Sequence, residues 1–158
     1  MKTLILYCSD HGTTEKCANL LKNKINGNVN VSNLKKNNKI EIANYDTVII
    51  GGSVHMGNIQ KTIVQFLQSN KSELLKKNLA LFLCCGQQDN IDEYFKNFFP
   101  KDILEHSLAK INMGYSYDFD KLGFMKKMII KKVAKVNKSE DKIKYENIDL
   151  LAKKINNI

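Results

Sequence analysis

Five short apolar runs, each the length of a strand, alternate along this chain with helical patterns, and that alternation constrains its fold more than any other feature. The runs span residues 3–7, 29–31, 47–50, 79–84 and, with a weaker alternating character, 107–113. Apolar residues recur at helical spacing within the segments 59–67, 91–99 and 148–155. Strands that alternate with amphipathic helices predict a parallel sheet built from right-handed crossovers.

The length of the chain and the character of the runs refine this prediction. A chain of 158 residues can bury one substantial core, so we expect a single domain over residues 1–158. The continuous runs are expected at the buried centre of the sheet, and the alternating run 107–113 nearer to an edge. The polar, lysine-rich segment 33–44 has room for only a short helix, and a partly irregular connection is expected there.

The charge balance indicates a negatively charged partner. The formal net charge is +9 and the isoelectric point is near 9.3, which suits an acidic partner protein, an anionic membrane surface or a nucleic acid. Nucleic acid is not expected, because the lysines are not interleaved with aromatic residues and no nucleic-acid-binding fold is recognised.

Cysteine usage and hydropathy indicate the compartment. No apolar stretch approaches the length of about 20 residues that spans a bilayer, and no secretory signal is recognised. The four cysteines fall in predicted strands and a helix, so they are expected to be reduced thiols that pack in the core. Together these observations predict a soluble cytoplasmic protein.

The first apolar run leads into the hydroxyl-rich segment Ser9-Asp10-His11-Gly12-Thr13-Thr14 and then into a helix. Unpaired backbone N–H groups and the positive end of the helix dipole favour an anion at such a junction. Ser9, Thr13 and Thr14 can donate hydrogen bonds to phosphate oxygens, and Gly12 lets the backbone come close. Because the loop carries no Lys or Arg, it suits a permanently bound monophosphate. The alternative is an ordinary turn in which Ser9 or Thr13 caps the helix.

Two common phosphate motifs are absent from the chain, namely the nucleoside-triphosphate loop and the glycine-rich dinucleotide fingerprint. The first 21 residues instead resemble the flavodoxin signature, position for position, at Ile5, Leu6, Tyr7, Ser9, Gly12, Thr14, Ala18 and Leu21. The resemblance implies an α/β, flavodoxin-like three-layer sandwich, whose five-stranded parallel sheet has the order 2-1-3-4-5 with helices on both faces. It also implies FMN, bound without a covalent link at the carboxyl ends of strands one and three, and electron transfer through the flavin ring.

The segment after the third apolar run is interpreted as a loop that begins at Gly51, and in flavodoxins this loop lies along the flavin. The cofactor-binding residues that the resemblance implies here are Ser53, Val54, His55, Met56, Gly57 and Asn58. Met56-Gly57-Asn58 resembles the turn of short-chain flavodoxins, whose glycine peptide can flip its carbonyl toward flavin N5 upon reduction. Glycine suits that flip because one form of the turn needs a positive φ. A plain tight turn, and for His55 an ordinary surface position, are the alternatives.

The third wall of the expected site is the loop Cys85-Gly86-Gln87-Gln88, whose amides can hydrogen-bond the pyrimidine edge of the flavin. The Trp and Tyr that enclose the ring in many flavodoxins are missing from these loops, and Tyr115 or Tyr117 can reach over from the next segment. The three histidines of the chain fall in separate segments without the spacing of metal ligands, so no metal site is expected.

A basic amphipathic helix is expected over residues 122–136. Its apolar stripe comprises Leu122, Met125, Ile129, Val133 and Val136, and its lysines are Lys126, Lys127, Lys131, Lys132, Lys135 and, just beyond, Lys138. Such a helix either covers the sheet with a solvated face or lies on an anionic membrane, with contacts from Lys126, Lys127, Lys131 and Lys132.

The segments 51–57 and 124–128 also resemble the branch of flavodoxin-like proteins that includes the menaquinone-dependent protoporphyrinogen oxidases. That finer resemblance implies a membrane-surface flavoenzyme with a quinone acceptor. The region 86–105 looks shorter than the substrate-associated insertion of that oxidase. We therefore expect an FMN-dependent electron carrier with an acidic redox partner. The oxidase and a flavin-free binding module are the alternatives.

Overall fold

The computed structural model describes residues 1–37, 39–86, 90–118, 123–134 and 138–158. The strands are β1 (Lys2–Tyr7), β2 (Asn28–Asn33), β3 (Thr47–Ser53), β4 (Asn78–Cys84), β5 (Ala109–Asn112), β6 (Gly114–Tyr117) and β7 (Glu140–Ile143). The helices are α1 (Thr13–Lys22), α2 (Lys61–Leu74), α3 (Ile91–Phe98), α4 (Lys101–His106), α5 (Phe124–Ala134) and α6 (Tyr145–Asn156). Residues 34–37 form turns, as expected for the connection after the second strand.

The main sheet confirms the predicted strand order. Five parallel strands lie in the order β2-β1-β3-β4-β5. Alternate residues of a strand face opposite sides of a sheet, so Ile5 packs with α1 and α6 while Leu4 and Leu6 pack with α2, α3 and α4. The result is the expected three-layer sandwich, and β1 and β3 meet where the winding of the chain reverses.

The prediction that the second loop begins at Gly51 is wrong, because β3 continues through Gly51 and Gly52 to Ser53. In the parallel register, Gly51 lies beside Phe82 of β4. A Cβ atom on Gly51 would come within 1.9 Å of Cζ of Phe82, so the glycine leaves room for the aromatic ring. The loop proper therefore starts at Val54.

The second half of the chain contains elements that the apolar pattern did not predict. After β5, the chain turns at Gly114, which has a φ of +74° and whose Cβ would lie 2.1 Å from the carbonyl oxygen of Lys142. Only glycine fits this close approach. β6 then pairs with β7 in a separate antiparallel ribbon, and α5 lies between these two strands in the sequence.

The helix α5 confirms the predicted helical segment within the described residues, since 121–122 and 135–137 lie outside them. Its predicted buried stripe is wrong at Met125, whose side chain is 77% exposed, and Ile130 is buried instead at 2%. The physical reason is that α5 belongs to the connection within the β6–β7 ribbon. The two core clusters on the faces of the main sheet are filled by the other helices. No helix of the described segments is long and apolar enough to cross a membrane.

Candidate functional site

The loop between β1 and α1 ends at Gly12, which precedes the first residue of the helix. Gly12 has a φ of +94°, and its N–H donates a 2.9 Å hydrogen bond to Oγ of Ser9. A Cβ on Gly12 would meet no described atom within 4 Å, so the backbone conformation requires glycine while the space beside it is open. No side chain among the described residues caps α1. The turn capped by Ser9 or Thr13 is therefore not what the structure contains.

The hydroxyl groups of Ser9 in this loop and of Thr13 and Thr14 at the start of α1 differ in their hydrogen bonding. Oγ1 of Thr14 is fully buried and pairs with no nitrogen or oxygen atom of the described residues, and the thiol of Cys84 is the group beside it. Oγ of Ser9 accepts from Gly12, which leaves its own hydrogen for another acceptor. Thr13, in contrast, donates its hydroxyl hydrogen to the carbonyl oxygen of Ser116 at 2.6 Å. In this structure the hydroxyl donor of Thr13 therefore serves β6, and the place of Thr13 among the cofactor-binding residues stays a prediction.

A hydrogen-bond network joins the loops that follow β1 and β3. Nε2 of Gln60 donates to Oδ2 of Asp10 and to Oγ of Ser53, both at 2.6 Å. The N–H of Ser53 donates to Oε1 of Gln60 at 3.2 Å. Sequence reasoning missed Gln60, since a glutamine just before a helix carries no recognisable signal. The network holds Asp10 and Ser53 in a common frame.

Asp10 also forms an ion pair with Lys35, which follows β2. Burial alone would raise the pKa of the Asp10 carboxyl, but hydrogen bonds from Gln60 and Lys35 and the charge of Lys35 lower it below its usual value. The carboxylate is therefore ionised at neutral pH and balances the charge of Lys35. The Asp10–Lys35 pair therefore adds no net charge beside the loop.

The residues 55–58 form a tight turn. The N–H of His55 donates to the carbonyl of Asn58 at 2.8 Å, and the N–H of Asn58 donates back to the carbonyl of His55 at 2.9 Å. Both central residues have positive φ, +48° at Met56 and +73° at Gly57, as in a type I′ turn. Positive φ at Gly57 agrees with the expected turn form, whereas the left-handed Met56 was not expected.

A small cavity lies between the loops at the carboxyl ends of β1, β3 and β4. It encloses about 30 Å³, room for little more than a water molecule. Its lining includes nine of the expected site residues, namely Ser9, His11, Thr13, Thr14, Ser53, Val54, His55, Cys85 and Gly86. The other described candidates lie around it, with Asp10 and Gly12 in the first loop and Met56, Gly57 and Asn58 in the turn.

Two histidines and two tyrosines narrow this cavity. The rings of His11 and His55 meet edge to face, with centroids 4.5 Å apart. Tyr115 and Tyr117 of β6 also line the cavity, as expected from the lack of aromatic residues in the loops. Burial raises the pKa of both phenols, and a hydrogen bond from Tyr115 to Glu140 adds to the effect at Tyr115. Both tyrosines are therefore neutral at physiological pH.

The third loop is described only in part. Cys85 and Gly86 line the cavity, and a Cβ on Gly86 would approach the ring of Tyr115 to 3.3 Å. Gln87 and Gln88, the other two candidates of this loop, lie outside the described residues. Cys84 also lines the cavity, and the neighbouring Cys17 thiol together with burial raises its pKa well above the usual range. All four cysteines are buried free thiols.

A larger polar groove of about 640 Å³ adjoins the loop and shares Ser9, His11 and Thr13 with the small cavity. Lys36, Asn33 and Asp118 line its far side. The loop is therefore accessible to a ligand from this groove. Among the described residues, no group of three or more His, Cys, Asp or Glu side chains is placed to hold a metal ion.

These observations test the fit of a phosphorylated flavin. The buried hydroxyl of Thr14, which has no nitrogen or oxygen partner among the described residues, the uncapped start of α1 and the open space beside Gly12 fit a phosphate group. The small cavity is much smaller than a flavin ring, so the side chains of the histidines and tyrosines that line it must move apart to admit one. The hydrogen-bond donors at the start of α1 therefore fit the phosphate of FMN, whereas the small cavity must open before it can admit the flavin ring.

Comparisons with known proteins give one family. The family model for the flavodoxin domain matches residues 4–144. A search of curated proteins finds no significant match.

Among solved structures, the Megasphaera elsdenii flavodoxin in its two-electron reduced form superposes with a TM-score of 0.64 at 15% identity, covering 99% of each chain. Oxidised flavodoxin 2 of Bacillus cereus gives 0.62 at 19% identity, over 98% of this chain and 97% of that one. A Lactobacillus acidophilus flavoprotein in complex with FMN gives 0.55 at 20%, over 70% and 92%. At these identities the structural matches establish the fold.

Proposed function

Because this chain belongs to the flavodoxin domain family, we propose that it binds FMN without a covalent link and carries electrons between partner proteins. The hydroxyl of Thr14 carries this proposal, since it is buried beside the uncapped start of α1 with only the thiol of Cys84, a weak hydrogen-bonding group, against it among the described residues. A buried hydroxyl that lacks a good partner costs up to about 1–3 kcal/mol. A bound phosphate group would remove that cost, which explains why the position holds a threonine.

The first loop supplies the groups that hold the phosphate. Thr14 and Ser9 donate their hydroxyl hydrogens, and the backbone N–H groups at the start of α1 add the favourable end of the helix dipole. Gly12 provides the left-handed backbone and the open space for close approach. Thr13 acts differently, because its hydrogen bond to Ser116 fixes β6 against the loop.

The second and third loops and β6 enclose the flavin ring in this proposal. FMN supplies one- and two-electron chemistry. The protein orients the ring between His55 and the tyrosines of β6, and it excludes water from one side. Lys35 is already paired with Asp10, and residues 9–14 themselves contain no Lys or Arg to balance the phosphate charge. We therefore expect a low reduction potential.

Gly57 is the residue of the turn best suited to adjust to the redox state. No described atom lies within 4 Å of the position of a Cβ on Gly57, and its φ is +73°. The peptide around Gly57 therefore has space to rotate, and glycine tolerates both signs of φ. In Gly57→Ala, we expect retained FMN binding and a shifted reduction potential. An unchanged potential would assign this residue to a plain tight turn.

The experiment that tests the proposal compares FMN with riboflavin. Purified protein is titrated with each ligand by flavin fluorescence, and the FMN-loaded protein is then desalted and reduced stepwise without oxygen. We expect FMN to survive desalting, riboflavin to bind far more weakly, and absorbance changes that report reversible reduction. Loss of all flavin upon desalting would favour the flavin-free binding module.

The finer resemblance to the menaquinone-dependent protoporphyrinogen oxidases has only the sequence motifs in its favour. An assay with protoporphyrinogen and a quinone tests it directly, and we expect no turnover. The redox partner of an electron carrier with a net charge of +9 is expected to be acidic. Reduction rates with an acidic and a basic redox protein, measured across a salt series, test that expectation.

A further inference from the structure

Three large apolar side chains of α5 are exposed to solvent. Phe124 is 78% exposed, Met125 is 77% exposed and Met128 is 56% exposed. Exposed apolar residues are common when they are isolated, but a contiguous group of large ones indicates an interaction surface. Their position on one helix, away from both core clusters of the sheet, leaves them without a role in the fold described above.

The helical geometry places these three residues on one face. With about 100° of rotation per residue, Phe124, Met128 and Met125 span roughly a quarter to a third of the helix circumference. Ile130, the buried residue of α5, lies on the opposite side. The exposed side of α5 therefore begins with an apolar surface, formed by residues 124, 125 and 128.

Lysines continue this face toward the end of the helix. The same rotation places Lys131 next to Phe124 and Lys132 between Met128 and Met125 when the helix is viewed along its axis. Both lysines are exposed, and the segment 121–139 contains no Asp or Glu. Lys126 and Lys127 belong to the same helix. The face thus combines exposed apolar side chains with a positive charge that no acidic residue of the segment balances.

We propose that this face of α5 binds the surface of a membrane that contains anionic lipids. The apolar side chains enter the boundary between headgroups and acyl chains, while the lysines remain at the level of the lipid phosphates. A protein partner would have to offer carboxylates and an apolar patch in matching positions, whereas an anionic bilayer surface supplies lipid phosphates and acyl chains together. Each lysine near an anionic surface raises binding about fivefold.

The shortness of α5 sets the expected strength of binding. A helix of 11 residues with three apolar anchors gives weak, reversible association that depends on the lysines, and salt screens it. The ribbon that carries α5 also supplies Tyr115 and Tyr117 to the candidate site. The proposal does not depend on flavin binding, and it is tested on the full chain with and without FMN.

Flotation with vesicles tests the proposal. We expect the full chain to float with vesicles of equal parts phosphatidylglycerol and phosphatidylcholine at low salt, and to bind at least about tenfold more weakly in high salt. The full chain should not bind vesicles of phosphatidylcholine alone. Failure of the full chain to bind the anionic vesicles at low salt overturns the proposal.

Variants identify the surface. The triple variant Lys127→Glu, Lys131→Glu, Lys132→Glu should lose binding. Its matched control is Lys22→Glu, Lys96→Glu, Lys153→Glu, which makes the same change from the net charge of +9 at exposed positions elsewhere and should retain most of the binding. Equal losses in the two triples would mean attraction by the overall charge and would contradict a specific face.

A third variant separates the apolar contribution. Phe124→Ser, Met125→Ser, Met128→Ser keeps every charge and should reduce vesicle binding about tenfold or more. Because the three side chains are exposed, we expect the unfolding temperature to stay close to that of the native sequence. Unreduced vesicle binding in this variant would contradict the proposal. So would displacement of the full chain from vesicles by an acidic protein, if the serine variant also binds that protein more weakly by the same factor as it binds vesicles. Either outcome would assign α5 to a protein partner instead.

Discussion

The hydroxyl of Thr13 donates a 2.6 Å hydrogen bond to the backbone carbonyl of Ser116, and its oxygen accepts the N–H of Ser116 at 3.3 Å. Two adjacent threonines at the start of α1 therefore have different roles. Thr13 fastens the start of the helix to β6, which carries Tyr115 and Tyr117. Thr14 keeps a buried hydroxyl with no nitrogen or oxygen partner among the described residues.

This difference predicts different ligand selectivities for two isosteric changes. Thr14→Val removes a donor to the phosphate, and a hydrogen bond to a charged group contributes about 1.5–3 kcal/mol. We expect Thr14→Val to weaken FMN binding by about 10- to 150-fold and to leave riboflavin binding nearly unchanged. Fluorescence titration with both ligands measures the ratio of FMN affinity to riboflavin affinity. Equal losses of affinity for the two ligands would contradict the proposed phosphate site.

Thr13→Val is the matched variant at the neighbouring position. It breaks the connection to Ser116 and should cost about 1 kcal/mol of unfolding free energy. Since it loosens the tyrosines of β6 rather than the phosphate donors, it should weaken FMN and riboflavin by a similar factor. Urea denaturation and the same titrations check both expectations. A loss confined to FMN would return Thr13 to the phosphate site.

The packing of Gly51 against Phe82 predicts strong coupling between these positions. Gly51→Ala places a methyl group where the phenylalanine ring lies, and overpacking costs about 1–3 kcal/mol or more. Phe82→Leu leaves space for that methyl group. We expect the double variant to be more stable than the sum of the single effects predicts, by about 0.5–3 kcal/mol in a double-mutant cycle. Additive effects would show that β4 shifts instead.

The network around Asp10 predicts a pH dependence of stability. Its pKa is lowered in the folded protein, so ionised Asp10 stabilises the fold at pH values above its ordinary value of 3.8. This contribution is lost as the pH falls through the lowered pKa. Asp10→Asn should therefore flatten the acid limb of the stability profile measured by urea denaturation between about pH 5 and pH 2.

Glu93→Gln is the control for Asp10→Asn, since it removes an exposed carboxylate from α3. Gln60→Leu provides an independent check, because it removes the amide nitrogen that donates to both Asp10 and Ser53. We expect Gln60→Leu to reduce the acid dependence as Asp10→Asn does. An acid limb that stays unchanged in both variants would mean that the network contributes nothing measurable.

The contact between His11 and His55 predicts an effect on the rate of ligand entry. The cavity is narrowed by these rings and holds about 30 Å³. When FMN binds only to a form in which the cavity is open, its apparent affinity falls in proportion to the population of that open form. His55→Ala should therefore raise the association rate of FMN in stopped-flow fluorescence. An unchanged or slower association would mean that His55 does not limit the entry of FMN.

The apolar runs of the sequence by themselves predicted the parallel sheet, and the resemblance to flavodoxins implied its strand order; the structure confirms both. Apolar runs and helical spacing are local patterns, and a parallel sheet is the arrangement that buries them. The segment Ser9–Thr14 could be recognised for the same reason, since its residues are contiguous. The resemblance to flavodoxins, drawn from the first 21 residues, agrees with the match of the family model over residues 4–144.

Only the tertiary structure decided which groups meet across the loops. The pairing of Thr13 with Ser116 joins positions 103 apart in the chain, and Gln60 reaches Asp10 across 50. The extension of β3 through Gly51 depends on the ring of Phe82, and the exposure of Met125 depends on the placement of α5 between β6 and β7. These outcomes rest on packing between distant segments, which the local periodicity of a sequence does not encode.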